Sequence, residues 1–338
     1  MSRKPRVVTI VNQKGGAGKT TTAVHLAAAC AETGARVLVV DLDQQCNATT
    51  WLDAKAGEHD VLSVLLKQAL VDDATVDSVI PGVQVLPATS ELAGLERHLG
   101  GSPGAELRLR SALQLVDAYD IVFIDCPPSL GLLSASGLAA ATDVLVPVAA
   151  GSMELEAVGK LADTVTEVGE ALNPGLTIGH VLVCAADLRR RLDQDVLAAL
   201  ERAFPDQVMR TVIGNSIRVR EAYSHAQPVT TYDPTGKAAQ QYRAAAAELT
   251  ERMHCWPPPE DSAPTPSAKP GAGYPASSPD GQKKGTGTQP HPPMQRQPRG
   301  RNRPHPSAAK TSPKAKAKSP PTYTPPSWKK PATPSCTP

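Results

Sequence analysis

The chain has 338 residues, 35 Lys and Arg against 33 Asp and Glu, and 33 prolines; hydrophobic residues make up 41% of it, enough for a sizeable core. No run of 18 apolar residues and no N-terminal apolar signal segment occurs, which argues against membrane spanning and secretion. Six cysteines fall at positions 30, 46, 126, 184, 255 and 336 with no C-x-x-C pair and no zinc-like spacing, so a reduced, cytoplasmic chain is expected.

Only six residues precede the first apolar strand, which leaves no room for an N-terminal helix-turn-helix domain and disfavours operator binding by one. The stretch from Val7 to Thr22, VVTIVNQKGGAGKTTT, then reads as a strand, a glycine-rich turn and a helix, the context of a phosphate cradle. In the G-x-x-x-x-G-K-[ST] pattern, backbone N–H groups wrap the phosphates, the lysine reaches the β and γ oxygens and the hydroxyl holds Mg²⁺. Gly18, Lys19 and Thr20 fit the last three positions, whereas Gln13 stands where the first glycine belongs. Beside it comes a second lysine, Lys14, followed by Gly15 and Gly16. The run Lys14-Gly15-Gly16-Ala17-Gly18-Lys19-Thr20 resembles the deviant Walker A motif of the ParA/MinD-like ATPases. That resemblance implies that Gly15 through Thr21 hold ATP, with Thr20 on Mg²⁺ and Thr21 towards the α-phosphate. It also implies that Lys14 crosses the interface of an ATP-sandwiched homodimer to the partner's nucleotide.

Lys19 to about Thr33 is an alanine-rich helix stopped by Gly34, in which His25 reads as a packing residue. Arg36 to Asp41, RVLVVD, is a buried parallel strand ending in Asp41-Leu42-Asp43, acids on the ligand side of an open α/β sheet. The family has D-x-D-P-Q-G-N here; the resemblance assigns Asp43 to the attacking water and Asp41 to the Mg²⁺ region. Gln44 for proline and Cys46 for glycine depart from the pattern. From Thr50 to Gly104 come an amphipathic SVLLKQAL, a strand-like VDSVI, VQVLPAT and a short helix from Ser90, with no nameable chemistry. Tyr119 to Asp125, YDIVFID, is the next buried strand, and Asp125 takes the Walker B position that holds the metal through water. The following Cys126-Pro127-Pro128-Ser129-Leu130-Gly131 resembles the loop that senses the γ-phosphate in partition ATPases. Cys126 has no second cysteine at a spacing that would support an iron–sulfur cluster.

Two further strand–helix units follow, Asp143 to Val148 with a helix from about Met153, and Thr177 to Cys184 with a helix from about Leu192. Alternation of this kind predicts an α/β fold with a doubly wound, mainly parallel sheet and helices on both faces, as in P-loop NTPases. Ala149-Ala150-Gly151-Ser152 departs from the family's glutamine and aromatics, while Glu156 matches it. Asp187-Leu188-Arg189-Arg190-Arg191-Leu192 resembles the family's D-x-R-x-x-L turn, and Ile217-Arg218-Val219-Arg220-Glu221-Ala222 its V-R-L-S-E-A segment. The resemblance assigns Arg189 and Arg218, and by extension Arg190, Arg191 and Arg220, to non-specific double-stranded DNA. The other reading of these arginines is solvated charge at helix ends. Asn215 falls where the family approaches adenine. Ser224-His225-Ala226-Gln227-Pro228 follows the family's S-H-G-K-P without its glycine and lysine; no orienting acid makes Ser224 and His225 a catalytic pair. Lys237 to Met253 is a closing helix.

Composition breaks at Trp256. The 82 residues after it hold 22 prolines and 13 Lys and Arg against 3 Asp and Glu, too few aliphatics to offset the entropy of ordering, so a disordered basic tail is expected. Residues 1–256 then form the ATPase domain and carry a formal charge of −8, so nucleic-acid binding there rests on the local arginine patch. The expected function is a partner-stimulated MgATPase that dimerises on ATP, binds DNA in that state and segregates a plasmid or chromosome with a centromere-binding ParB-like partner, nucleoid-associated. The alternatives are a MinD-like membrane-positioning ATPase, which needs a basic amphipathic C-terminal helix that the prolines forbid, and a cargo-positioning ATPase working through a non-DNA adaptor. A non-catalytic scaffold would show no ATP turnover even with DNA and partner.

Overall fold

The computed structural model describes residues 4–150 and 154–254; the proline-rich stretch 257–338 and the Gly151-Ser152 departure lie outside them. Seven strands form one sheet: β1 (Arg6–Ile10), β2 (Val37–Asp41), β3 (Val76–Asp77), β4 (Val83–Leu86), β5 (Ile121–Asp125), β6 (Asp143–Ala149) and β7 (Ile178–Cys184). Their order is β3-β4-β2-β5-β1-β6-β7, and every pairing is parallel except the short β3 against β4. Such strands are buried on both faces, which is why VLVVD and IVFID read as unbroken apolar runs. The strand-like VDSVI contributes only the two residues of β3, because Ser78 turns the chain by accepting the Ile80 N–H at 3.0 Å.

Alternate side chains on the strands feed two cores. Val8, Ile10, Val37, Val39, Ile121 and Phe123 meet the helix Lys19–Glu32 and the closing helix Lys237–Met253. Leu38, Val40, Val122, Ile124, Val144 and Val146 meet the other face, with Leu109, Leu138 and Leu161 from its helices. Helices on both faces of a mainly parallel sheet are the doubly wound arrangement that the strand–helix alternation predicts. Leu132–Ala140 approaches β1 and β5 closely: a Cβ on Gly137 would lie 2.8 Å from Cys126 Sγ, and the Gly137 carbonyl accepts Thr9 Oγ1 at 2.7 Å.

The two glycines that the family has and this chain lacks leave a trace in the backbone. Cys46 (φ 53°) and Ala226 (φ 49°) both sit in the left-handed region, which costs a residue with a Cβ about 1–2 kcal/mol. Ala226→Gly is therefore expected to raise stability by about 0.5–1 kcal/mol, read as an upward shift in the thermal midpoint. Cys46→Gly should gain less, because the Cys46 side chain packs at the edge of a core that glycine would leave unfilled.

His25 packs, as its place in the helix predicts. It is fully buried, stacked on Tyr242 (centroids 4.4 Å apart) and edge-on to Trp51, and its Nδ1 bonds the Thr21 carbonyl oxygen at 2.7 Å. Burial pushes its pKa down to about 4 from an ordinary 6.5. A depressed base contributes stability that is present above the unfolded pKa and lost as pH falls from 6.5 through 4. That loss is about 2 kcal/mol between pH 7.5 and pH 5. Asp41, whose carboxyl burial raises to about 6, works in the opposite sense over part of the same window. The difference between the wild type and His25→Gln isolates the imidazole: the gap between their stabilities should move by that amount across the interval, in favour of the variant at pH 5.

Candidate functional site

The three central strands end level with one another, since Ile10 and Asp41 both stand in register with Asp125. The winding also reverses at β1, with β2 and β6 on opposite sides of it. Open α/β sheets bind ligands in the crevice beyond the strand ends at such a point.

The loop leaving β1 is held from beneath. Asn12, 1% exposed, donates from Nδ2 to the Pro147 carbonyl at 2.7 Å, which ties the loop to β6, and its Oδ1 accepts the Lys14 N–H at 2.9 Å. Gly16 (φ 75°) and Gly18 (φ 92°) take left-handed backbone that a side chain would strain. No side chain caps the helix that follows and no acid stands in its first turn, so its amide dipoles face the loop uncompensated. Gly15 and Gly16 are exposed along the loop, Ala17 is buried beneath it, and Thr21 lies in the first turn of the helix with its carbonyl on His25. Lys14 is exposed, whereas Lys19 is 7% exposed and donates from Nζ to the Lys14 carbonyl at 3.3 Å. Burial lowers the Lys19 pKa, and Asp125 and Asp43 oppose the shift. A poorly hydrated ammonium lying under a ring of N–H groups is suited to phosphate oxygens.

Thr20 Oγ1 donates to Asp125 Oδ2 at 2.6 Å, while Asp125 Oδ1 is buried without a hydrogen-bond partner. Burial first, and the neighbouring Asp41 second, drive the Asp125 carboxyl well above the usual carboxylate range. A hard divalent cation next to Thr20 would satisfy the orphaned oxygen and relieve that cost, so the residues present fit Mg²⁺. Among the described residues no group of three or more His, Cys, Asp or Glu could hold a metal.

Asp41 stands in register with Asp125, and its charge acts on that carboxyl. Its Oδ1 accepts the Asp43 N–H at 3.0 Å, and its Oδ2 accepts both the N–H and the hydroxyl of Thr49 at 2.9 and 2.7 Å. Both oxygens are engaged, so Asp41 braces the loop from beneath. Asp43 is 6% exposed, and its Oδ1 accepts the Gln45 N–H at 3.0 Å, which directs the carboxylate towards Lys19 rather than solvent.

The end of β7 adjoins the same loop, with Thr22 Oγ1 3.8 Å from Cys184 Sγ. Just beyond it lies a cavity of about 710 Å³ whose lining includes Arg189, Arg190, Arg218, Asn215, Asp233 and Lys237. The residues from 208 to 214 cover the β7 edge through Met209, Ile213 and Gly214, and so deliver Asn215 to Ala186 by an N–H···O bond of 3.0 Å. Two separate stretches of the chain thus meet beyond the end of β7. Each of three arginines lies close to an acid: Arg189 to Asp187 at 2.8 Å, Arg191 to Asp195 at 4.0 Å and Arg218 to Glu221 at 2.9 Å. Arg190 lies 3.5 Å from the same Asp187, whose carboxyl the Arg189 guanidinium holds down at about 2. Arg191 and Arg220 are exposed but do not line the cavity. Asn12, Thr49 and Lys237 escaped the sequence reading. Only Asn12 carried a local signal, an amide two residues before the loop N–H that it accepts.

A family model described as an AAA domain matches residues 5–178. The chain is 40% identical over 247 residues to the sporulation initiation inhibitor protein Soj of Bacillus subtilis, spanning 72% of this chain and 98% of that one. It is 43% identical over 250 residues to the chromosome-partitioning ATPase Soj of Thermus thermophilus, spanning 74% and 97%. Among solved structures, cobyrinic acid a,c-diamide synthase from Mycobacterium smegmatis, with a bound ATP analogue and magnesium, aligns with a TM-score of 0.65 at 34% identity, over 74% of this chain and 96% of that one. Fold and crevice together define a P-loop ATPase that hydrolyses ATP and takes Mg²⁺ with it. Within that class the chain belongs to the ParA/Soj family. No helix among the described residues is long and apolar enough to cross a membrane.

Proposed function

We propose that this ATPase works as a DNA-partitioning switch: it pairs into a homodimer on ATP, holds non-specific DNA in that state, and lets go after hydrolysis stimulated by a ParB-like centromere-binding partner. The cargo is a plasmid or chromosome and the location the nucleoid. In the nucleotide site Lys19 neutralises the β and γ oxygens, and the N–H groups from Gly15 to Thr21 wrap the phosphates. Asn215 approaches the base. Thr20 and Asp125 hold the Mg²⁺, which supplies charge neutralisation on the transferred phosphoryl group. Asp43 aligns the attacking water, and Lys14 reaches the partner's nucleotide. Residues 1–256 carry this chemistry, and 257–338 add a basic tail that strengthens attraction to polyanions.

The observation that carries the reading is the meeting of Arg189, Arg190 and Arg218 from two stretches on one cavity beyond the end of β7. Exposed guanidinium groups on a body of net negative charge are a local patch, and phosphate contact asks for nothing further. Their partners, Asp187 and Glu221, are half-buried surface carboxylates, and pairs at a surface are weak enough to exchange for phosphate. The test is Arg218→Glu, with Arg189→Glu beside it. DNA affinity with ATP should fall about tenfold or more, and the slope of affinity against salt should flatten by about one, with nucleotide affinity unchanged. Retention equal to wild type would reject the DNA reading and favour an ATPase that positions other cargo through an adaptor.

A further inference from the structure

A chain of aromatic contacts, buried at His25 and Trp51 and reaching the surface at Tyr223, joins the Asp43 loop to the arginine helix. After Asp43 the backbone turns at Cys46 and enters the one-turn helix Asn47–Trp51. That helix is fixed at its middle by Thr49 on the Asp41 carboxylate and ends in Trp51, which is 5% exposed. The Trp51 ring stands edge-on to Tyr223, with centroids 4.9 Å apart, and edge-on to His25 at 5.1 Å. Its Nε1–H donates to the Gln227 carbonyl at 2.8 Å. Tyr223 belongs to the helix Ile217–Ser224, which carries Arg218 and Arg220, and Gln227 lies just past its end. On the other side His25 bonds Thr21 of the phosphate loop. One indole therefore touches the element that follows the water-positioning acid, the helix that bears the phosphate loop and the helix that bears two of the arginines.

We propose that Trp51 is a positioning residue that transmits the state of the Asp43 loop to the arginine helix. The proposal rests on the reading of that helix as a DNA surface. When a γ-phosphate draws Asp43, the short helix behind it shifts as a unit, since Asp41 and Thr49 bind its two ends of the loop together. Close-packed interiors do not absorb such a shift in voids. The buried Trp51 indole takes the Gln227 carbonyl with it through its N–H···O bond and presses on the half-exposed Tyr223 ring, which re-aims Arg218 and Arg220 and sets DNA affinity by nucleotide state. The directional N–H···O bond matters as much as the ring contact, because it fixes where the end of the arginine helix can sit.

The experiment uses the full chain with Trp256→Phe and Trp328→Phe, so that Trp51 is the sole indole. Its emission should change on adding a slowly hydrolysed ATP analogue with Mg²⁺ and stay constant with ADP; an emission equal in both states overturns the proposal. Trp51→Phe, which keeps a ring and loses the N–H donor, and Tyr223→Leu are then compared on the wild-type background. Each should leave nucleotide affinity within about twofold and cut the ATP-over-ADP ratio of DNA affinities by about fivefold, and the double variant should fall no further than the worse single one. A purely structural role would weaken DNA binding equally in both nucleotide states and leave the ratio untouched, which also overturns the proposal. Arg218→Glu runs alongside. If it leaves DNA binding intact while the emission still responds to the ATP analogue, the DNA reading of the helix fails and the link from loop to helix stands.

Discussion

Asp43→Ala is expected to lower the rate of ATP hydrolysis by about 10²–10³-fold, the usual worth of a positioned acid–base group, with ATP affinity changed by no more than a few-fold. Phosphoryl transfer leaves little covalent chemistry to the protein, so loss of the group that aligns water falls on turnover rather than on binding. Asp43 is buried beside Lys19, and its loop is braced by Asp41 from below. The alanine also removes the acceptor for the Gln45 N–H, so Asp43→Asn is the companion variant: it keeps an oxygen for that bond and removes the charge. Both should hydrolyse slowly and, with ATP and Mg²⁺, stay on DNA. Single-turnover hydrolysis and DNA dissociation measured together decide the point; release as fast as wild type in the presence of ATP would contradict the assignment.

The phosphate loop was legible in the sequence because its chemistry demands particular residue types at fixed spacing. Left-handed turns need glycine at 16 and 18, a buried cation needs lysine at 19, and a hydroxyl must follow. The acids after β2 were only half legible. Asp41 and Asp43 share a face of the chain, and sequence alone cannot tell which of two acids spaced i, i+2 meets the ligand. Thr49, eight residues on, holds one oxygen of Asp41, a contact that no local pattern announces. The two lost glycines leave the backbone path unchanged in kind: Cys46 and Ala226 keep the left-handed backbone that glycine would have eased. The region from Thr50 to Gly104 offered no nameable chemistry, yet it begins with Trp51. The significance of that ring comes from Tyr223 and from a hydrogen bond to Gln227, 176 residues away, which no local pattern announces. The arginines were legible as a cluster. Their acidic partners, and the cavity that unites Arg189, Arg190 and Arg218 while leaving Arg191 and Arg220 outside, depend on how β7 and its covering segment end.

Lys14→Ala should abolish dimerisation on ATP and reduce stimulated hydrolysis by about 10³-fold, in line with cationic groups supplied to a phosphoryl-transfer site from a second chain. The backbone at position 14 helps hold the loop, its N–H on Asn12 and its carbonyl on the Lys19 ammonium. Alanine keeps both, so the variant should fold and bind nucleotide within a few-fold of wild type. Analytical ultracentrifugation with an ATP analogue then reads dimer formation directly. The sharper test mixes two inactive chains, Lys14→Ala and Asp43→Ala. If Lys14 serves the partner's nucleotide, a mixed dimer contains one complete site: the Lys14→Ala chain supplies Lys19 and Asp43, and the Asp43→Ala chain supplies the missing lysine. Hydrolysis should then return on mixing. If Lys14 acts only on the nucleotide of its own chain, neither site of the mixed dimer is complete, and the mixture stays as inactive as its parts. A return of activity therefore locates the lysine across an interface, which the extra lysine of this loop predicts and an ordinary phosphate loop does not.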